Sequence, residues 1–407
     1  MNDSPRKGSL LVIFLTVFID LLGFGLVLPL LPLYAKQYSA SHWQLGALMA
    51  SFSAMQFLFA PLWGRLSDRI GRRPVLMVGL AGSAVFYFLF AVASQLKDPG
   101  QSLALLFVAR IGAGIAGATI STAQAYIADT TTQENRAKGM ALIGMAFGAG
   151  FTFGPLLGLL AVPTRDSAPG PWPGYIAAAL SLVALAMAVF RLPESKTPDS
   201  ESKAHVRKWS DWTAAFSSLS IGLLLMAIFV CLFSFANFET TLSLVIKNHL
   251  DFSWGQVCLT CSAIGFTLAL VQGGVVRRLA EKNREGELAI IGAVLEMAGF
   301  ALMAWAAQQI SANLLVISLL VVTTGFAFMQ PNLNALLSRR SDPANQGVVL
   351  GVGQSVSALA RILGAALGAP LLKYGQALPY YVAAGMMALG VVMVGIAWKS
   401  GRDYKGG

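Results

Sequence analysis

Residues 43–95 read WQLGALMASFSAMQFLFAPLWGRLSDRIGRRPVLMVGLAGSAVFYFLFAVASQ. Two apolar runs, 43–64 and 74–95, flank a short loop rich in arginine. A helix needs about 20 mostly apolar residues to cross the hydrocarbon of a bilayer, and each run supplies them. The stretch therefore reads as two membrane-spanning helices joined by a basic turn.

The same pattern extends in both directions. Further apolar stretches lie near 10–35, 102–128, 137–161, 173–191, 213–246, 254–276, 287–308, 312–337, 346–372 and 378–398, which makes twelve in all. A membrane β-barrel would need strictly alternating segments of about 10 residues. Runs such as Leu180 to Phe190 are apolar on every side, so helices are expected instead. The first stretch is too long for a signal peptide, holds Asp20 and lacks a small-residue cleavage site after it, so it counts as the first helix.

Composition agrees with a lipid-facing surface. Of 407 residues, 56% are hydrophobic and 12% charged, and mean hydropathy is +0.66. Soluble domains carry about 25% charged residues. The net charge of +10 would raise the question of nucleic acid in a soluble protein. Here it is a matter of topology. With the N-terminus inside, 22 of the 29 basic residues fall in inside segments and 5 outside, and Arg110 and Arg361 lie within helices. That asymmetry predicts an inner-membrane protein with both termini cytoplasmic and no nucleic-acid partner. The pair Cys258-x-x-Cys261 opens an apolar helix with no second Cys or His pair nearby, so it reads as small packing residues and no metal site is expected.

The longest polar stretch, PESKTPDSESKAHVRKWSDW at 193–212, falls after six helices. It divides the chain into a bundle at 1–192, a cytoplasmic linker at 193–212 with a short surface helix around Trp209 and Trp212, and a second bundle at 213–407. The halves align at an offset of 210: Asn135 meets Asn345, Gly154 and Gly158 meet Gly364 and Gly368, and Gly64 meets Gly274. Two parallel halves of this kind place a substrate at their interface near the bilayer midplane, with alternating access by rocking.

The loop Gly64-Arg-Leu-Ser-Asp-Arg-Ile-Gly-Arg-Arg-Pro74 has readable chemistry. Gly64 permits close helix contact, Asp68 can cap a turn or pair with an arginine, Arg72 and Arg73 anchor the loop, and Pro74 suits a first helical turn. The run resembles the signature loop of the major facilitator superfamily. The resemblance implies a twelve-helix, all-α membrane fold in two pseudo-symmetric six-helix bundles. It also implies a charge-relay latch in which Asp68, the arginines and Asp129 close the cytoplasmic side. Arg110, in Leu106-Phe-Val-Ala-Arg-Ile-Gly-Ala-Gly114, resembles that family's helix-four motif. Gly144 to Gly158, ending Gly154-Pro155-Leu156-Leu157-Gly158, resembles its helix-five antiporter motif, with Leu159 where a further glycine is usual. That motif typifies drug:proton antiporters, and Asp20 to Pro32 resembles their tetracycline-exporter branch. Physically, Gly148, Gly150, Gly154 and Gly158 give a small-residue face, and Pro155 can bend the helix.

Ionisable residues within a spanning helix are costly and usually face a cavity or a partner. Asp20 could load and release a proton, or make a structural contact. Arg110 could pair with a carboxylate, or be held structurally. Glu239 has a site role or a gating one. Arg361 shares a polar face with Gln354 and Ser357 and could bind an anion or pair with a helix-seven carboxylate. These four are the candidate coupling residues. Glu296, on a peripheral helix, reads as structural or lipid-interfacial. Gln56, Phe57, Gln124, Tyr126, Phe235, Asn237, Phe328, Gln330 and Asn334 complete the expected substrate cavity with Gln354 and Ser357.

No catalytic set and no phosphate-cradling glycine-rich loop with a lysine occur, so neither an enzyme nor ATP drive is expected, and no cofactor. The first reading is a monomeric, proton-coupled exporter of amphiphilic small molecules such as drugs. The alternatives are a transporter of organic anions or sugars, by uptake or exchange, and a non-transporting membrane sensor.

Overall fold

A computed structural model describes residues 7–131, 136–161, 170–195, 219–276, 284–341 and 346–400. Among them every regular element is helical, and twelve helices are long and apolar enough to cross a membrane. They are α1 (Leu10–Gln37), α2 (His42–Ile70), α3 (Arg72–Ala93), α4 (Pro99–Thr130), α5 (Leu142–Ala161), α6 (Trp172–Arg191), α7 (Leu219–Asn248), α8 (Trp254–Val276), α9 (Glu285–Gln309), α10 (Ala312–Arg340), α11 (Val349–Leu371) and α12 (Leu378–Lys399). Each overlaps one apolar stretch of the sequence. Most of the connector, the expected helix at Trp209 and Trp212, and the matched Asn135 and Asn345 lie outside the described residues.

Local chemistry sets several ends. Asp98 accepts a hydrogen bond from the Gly100 N–H at 3.0 Å, and Pro99 stands at the first helical position of α4. Ser311 accepts from the Leu314 N–H and starts α10. Glu285 and Glu287 occupy the first turn of α9, where carboxylates complement the helix dipole. A turn at 28–30, around Pro29, interrupts α1, because proline cannot donate to the helical ladder.

Packing divides the chain into two compact units. One comprises the described parts of Met1–Ser41, Ser51–His205 and Phe252–Phe266; the other those of His42–Ala50, Val206–Asp251 and Thr267–Gly407. A plain cut at the connector would leave α2 and α8 undivided. Instead the first turns of α2 join the second unit and most of α8 joins the first. The two exchanged segments begin 210 residues apart, at the offset of the repeat.

Within the first unit α1 packs on α5 and α6, and α3 on α4 and α6. Within the second, α7 packs on α11 and α12, and α9 on α10 and α12. These are the same four pairings shifted by six helices. Glycines sit at equivalent places. On α5, a Cβ at Gly154 would lie 2.6 Å from the Gly25 carbonyl carbon of α1. On α11, a Cβ at Gly364 would strike the Phe233 carbonyl of α7. The first unit's apolar core includes Ile13, Leu21, Leu80, Tyr126, Ile127 and Ala184.

Candidate functional site

The loop between α2 and α3 is organised by one guanidinium. Arg72 is only 8% exposed. Its Nη1 lies 2.6 Å from Asp68 Oδ1 and donates to Ser67 Oγ at 2.7 Å, and its Nε donates to Asp129 Oδ2 at 3.0 Å. Thus α2, α3 and the end of α4 are tied through a single planar fork, a geometry that suits arginine and not lysine. The Ser67 hydroxyl in turn donates to the Gly64 carbonyl at 2.8 Å. Arg73 does not enter this network; its guanidinium donates to the Val189 carbonyl at the end of α6. Gly64 corrects the sequence reading, because among the described residues a Cβ there would meet nothing within 4 Å and no close helix contact requires the glycine. Among the described residues its repeat counterpart Gly274 is equally open.

Arg72→Lys is expected to keep the charge and lose the three-way fork. Removing charge-assisted hydrogen bonds costs about 1.5–3 kcal/mol each when buried. Here the carboxylates are 25% and 30% exposed, so solvent screening brings the expected loss nearer 1 kcal/mol. Thermal unfolding in detergent, against exposed Arg65→Lys as control, measures it.

Asp20 lies in α1 and receives a hydrogen bond from the Ser181 hydroxyl of α6 at 2.7 Å. Ser83 of α3 lies beside it as a second hydroxyl. Ser83 and Ser181 are buried, as is Tyr87 of α3, which stands within electrostatic reach of both Asp20 and Arg110. Arg110 of α4 is 3% exposed, with its guanidinium carbon 4.6 Å from the Phe52 ring centre and 6.0 Å from that of Phe24. Aromatic faces stabilise a cation that has left water. The first unit thus holds a carboxyl, a phenol and a guanidinium near one another, contributed by α1, α3 and α4.

In the second unit Arg361 of α11 is close enough to Glu239 of α7 to feel its charge. Phe235 stacks on Phe326 at 3.9 Å between ring centres. Gln56, Phe57, Phe328, Gln330 and Asn334 are partly exposed, and Gln124 and Gln354 exposed. Gln56 donates to the Gly117 carbonyl at 3.3 Å.

Three expected cavity residues are packed away instead. Tyr126 is fully buried in the first unit's apolar core and donates its hydroxyl to the Pro193 carbonyl at 3.0 Å. Asn237 is fully buried, donates to the Pro379 carbonyl at 3.2 Å and abuts Gly368. Ser357 is 6% exposed and donates to the Gly353 carbonyl of its own helix at 2.7 Å, whereas Gln354, one turn earlier, is exposed. A short polar side chain in an apolar helix often satisfies itself on a nearby carbonyl, and periodicity does not register that. Glu296 is not interfacial. It is fully buried, and Cys231 of α7 donates to its Oε2 at 3.4 Å.

Of the four glycines expected on the helix-five face, Gly150, Gly154 and Gly158 sit against neighbouring elements, whereas a Cβ at Gly148 would meet nothing within 4 Å among the described residues. Gly150 and Gly154 meet α1, and a Cβ at Gly158 would lie 2.8 Å from Cys258 Sγ; Pro155 is buried. Sequence reasoning missed Ser67, Ser83, Ser181 and Glu194. Ser67 stands inside the Gly64–Pro74 motif but at a position to which no role was assigned, and Ser83, Ser181 and Glu194 belong to no periodic or motif signal.

Comparison with known proteins fits this architecture. The sequence model of the Major Facilitator Superfamily matches residues 13–365. The chain is 29% identical over 390 residues to the tetracycline resistance protein, class B, of Escherichia coli, covering 94% of this chain and 91% of that protein. It is 30% identical over 415 residues to the human major facilitator superfamily domain-containing protein 10, covering 89% and 87%. A crystal structure of the human organic anion transporter MFSD10 superposes with a TM-score of 0.72 at 26% identity, covering 96% of this chain and all of that one. These relatives are transporters and not enzymes, and such transporters carry small molecules. With the family's sequence model matched across most of its length and twelve apolar helices in a repeated packing scheme, the chain belongs to the major facilitator superfamily of membrane transporters.

Proposed function

We propose that the protein is a proton-coupled exporter of amphiphilic small molecules that works by alternating access. The observation that carries this reading is Asp20, a carboxyl inside the first span held by a serine of α6 beside a buried phenol and a buried guanidinium. A proton arriving at Asp20 removes one negative charge from this cluster, so the balance among Asp20, Tyr87 and Arg110 differs between the two protonation states. That difference is what couples a proton to a conformational equilibrium. The Arg72 latch supplies a discrete contact that such an equilibrium can make or break. The likeness to tetracycline resistance proteins supports an amphiphilic cargo moved outward. The basic-residue asymmetry supports an inner-membrane protein with cytoplasmic termini. We infer further that it acts as a monomer in the bilayer.

A second reading, transport of organic anions, has its own support. Arg110 and Arg361 lie within spans, and a structural neighbour is a human organic anion transporter. Proteoliposomes holding a pH-sensitive dye separate the two. Added tetracycline is expected to move protons. Fluxes confined to an anion such as fluorescein, insensitive to a proton gradient and lost in Arg361→Ala, would overturn export in favour of the second reading. No flux across a broad panel would leave a sensor.

A further inference from the structure

The four residues after α6, Leu192-Pro193-Glu194-Ser195, run into the start of the connector, yet they pack onto α3 and α4. Leu192 is 2% exposed, and the Pro193 carbonyl accepts from Tyr126 of α4. One Glu194 carboxylate oxygen accepts from the Arg72 backbone N–H at 2.8 Å, the other from the Arg73 N–H at 3.1 Å. These are the first two N–H groups of α3, which have no carbonyl partner within their own helix. The residue before them is Gly71, which has no side chain to cap with and sits at φ +102°. A Cβ at Gly71 would stand 2.5 Å from Glu194 Oε2, so the glycine both makes the turn and clears space for the carboxylate. Ser195 completes the link: its N–H donates to Glu194 Oε1 at 3.0 Å and its hydroxyl to Asp129 Oδ2 at 3.4 Å. Asp129 Oδ2 is the same atom that accepts from Arg72 Nε.

The side-chain caps of α4 and α10 are local: Asp98 accepts from the N–H two residues on and Ser311 from the N–H three residues on. The α3 cap comes from 122 residues further along. A carboxylate at a helix N-terminus satisfies orphan donors and complements the dipole. At α3 it does so where the first turn carries two arginines, so it also offsets their charge.

We propose that Glu194 is a positioning residue of the latch. It fixes the backbone from which Arg72 reaches Asp68 and Asp129, and it fastens the start of the connector to that network. A movement of the connector therefore reaches the latch through two hydrogen bonds to backbone, and opening of the latch pulls on the connector. The proposal rests on the latch reading given under the proposed function.

Amide hydrogen exchange by mass spectrometry on the full chain in detergent tests the cap without any substrate. In Glu194→Ala, peptides holding Arg72 and Arg73 are expected to exchange about tenfold faster, while those at the Asp98 cap do not change. Glu194→Gln keeps one acceptor oxygen and is expected to fall between. Gly71→Ala, which displaces the carboxylate without removing it, is expected to match Glu194→Ala. Unchanged exchange at Arg72 and Arg73 in Glu194→Ala overturns the cap. The transport arm tests positioning: Glu194→Ala and Arg72→Lys are expected to be non-additive, since both act through one contact. Defects that add would mean Glu194 does not work through Arg72, and would overturn the proposal. Normal transport by Arg72→Lys would instead sink the latch reading, with the exchange result unaffected.

Discussion

Asp20→Asn is expected to abolish substrate-driven proton movement while leaving the fold intact. The amide has nearly the shape of the carboxyl, and its oxygen still accepts from the Ser181 hydroxyl that now lies 2.7 Å from Oδ1. What it cannot do is take up and give back a proton. The expected change in stability is therefore small, about 1 kcal/mol or less, the usual net worth of one hydrogen bond. Transport separates the two properties. With a pH-sensitive dye inside proteoliposomes, wild type responds to added substrate and Asp20→Asn stays at the level of empty vesicles. Ser181→Ala removes the donor and keeps the acid, so it should weaken the response and not erase it. A ligand-induced thermal shift retained in Asp20→Asn would show that binding survives the loss of coupling. An unaltered proton response would take Asp20 out of the mechanism and leave its hydrogen bond as helix packing.

That test concerns a residue the sequence could point to, and the reason it could is instructive. A charge within an apolar run is visible in one dimension, and so are the runs themselves, because hydrocarbon imposes its thickness on every span. The twelve spans, the repeat and the Gly64–Pro74 loop were legible on those grounds. Arg72 could be grouped with Asp68 and Asp129 because the Gly64–Pro74 loop resembles the family's signature loop and Asp129 ends α4 at the expected cytoplasmic face. The partners that give the charges their geometry were not legible. Ser181 is one serine in the alanine-rich run of α6, and Glu194 is one acid in a polar connector; what distinguishes them is the third dimension. Tyr126, Asn237 and Ser357 failed for a related cause. A polar side chain among apolar ones needs a partner, and a carbonyl on a neighbouring helix or on its own serves as well as a wet cavity. Helix ends were displaced where the signal is compositional only: α2 continues to Ile70, where the apolar run ends near 64.

Adding a single methyl group where α1 crosses α5 is expected to destabilise the first unit more than any other change of that size considered above. A Cβ at Gly25 would fall inside the Gly150 carbonyl. One at Gly150 would lie 2.9 Å from the Leu21 carbonyl oxygen, and one at Gly154 2.6 Å from the Gly25 carbonyl carbon and 2.7 Å from the Leu26 nitrogen. The neighbours at this crossing are backbone atoms, which have no rotamer by which to yield. In lipid the helices gain nothing from excluding water, so their association depends on this closeness. Gly154→Ala must push α1 and α5 apart along their contact, and overpacking of this kind costs about 1–3 kcal/mol. Gly25→Ala should cost a similar amount, and the double variant less than the sum, since either methyl group alone opens the same crossing. Gly148 is the internal control. It lies on the same helix with nothing among the described residues within 4 Å of its would-be Cβ, so Gly148→Ala should be neutral or gain up to about 1 kcal/mol from helix propensity. Thermal unfolding followed by tryptophan fluorescence in detergent ranks the variants. If Gly154→Ala were as stable as Gly148→Ala, the crossing would not hold the unit together. A matching loss at Gly364→Ala, whose Cβ would strike the Phe233 carbonyl where α11 crosses α7, would extend the same logic to the second unit. The repeat would then be a repeat of packing constraint as well as of sequence.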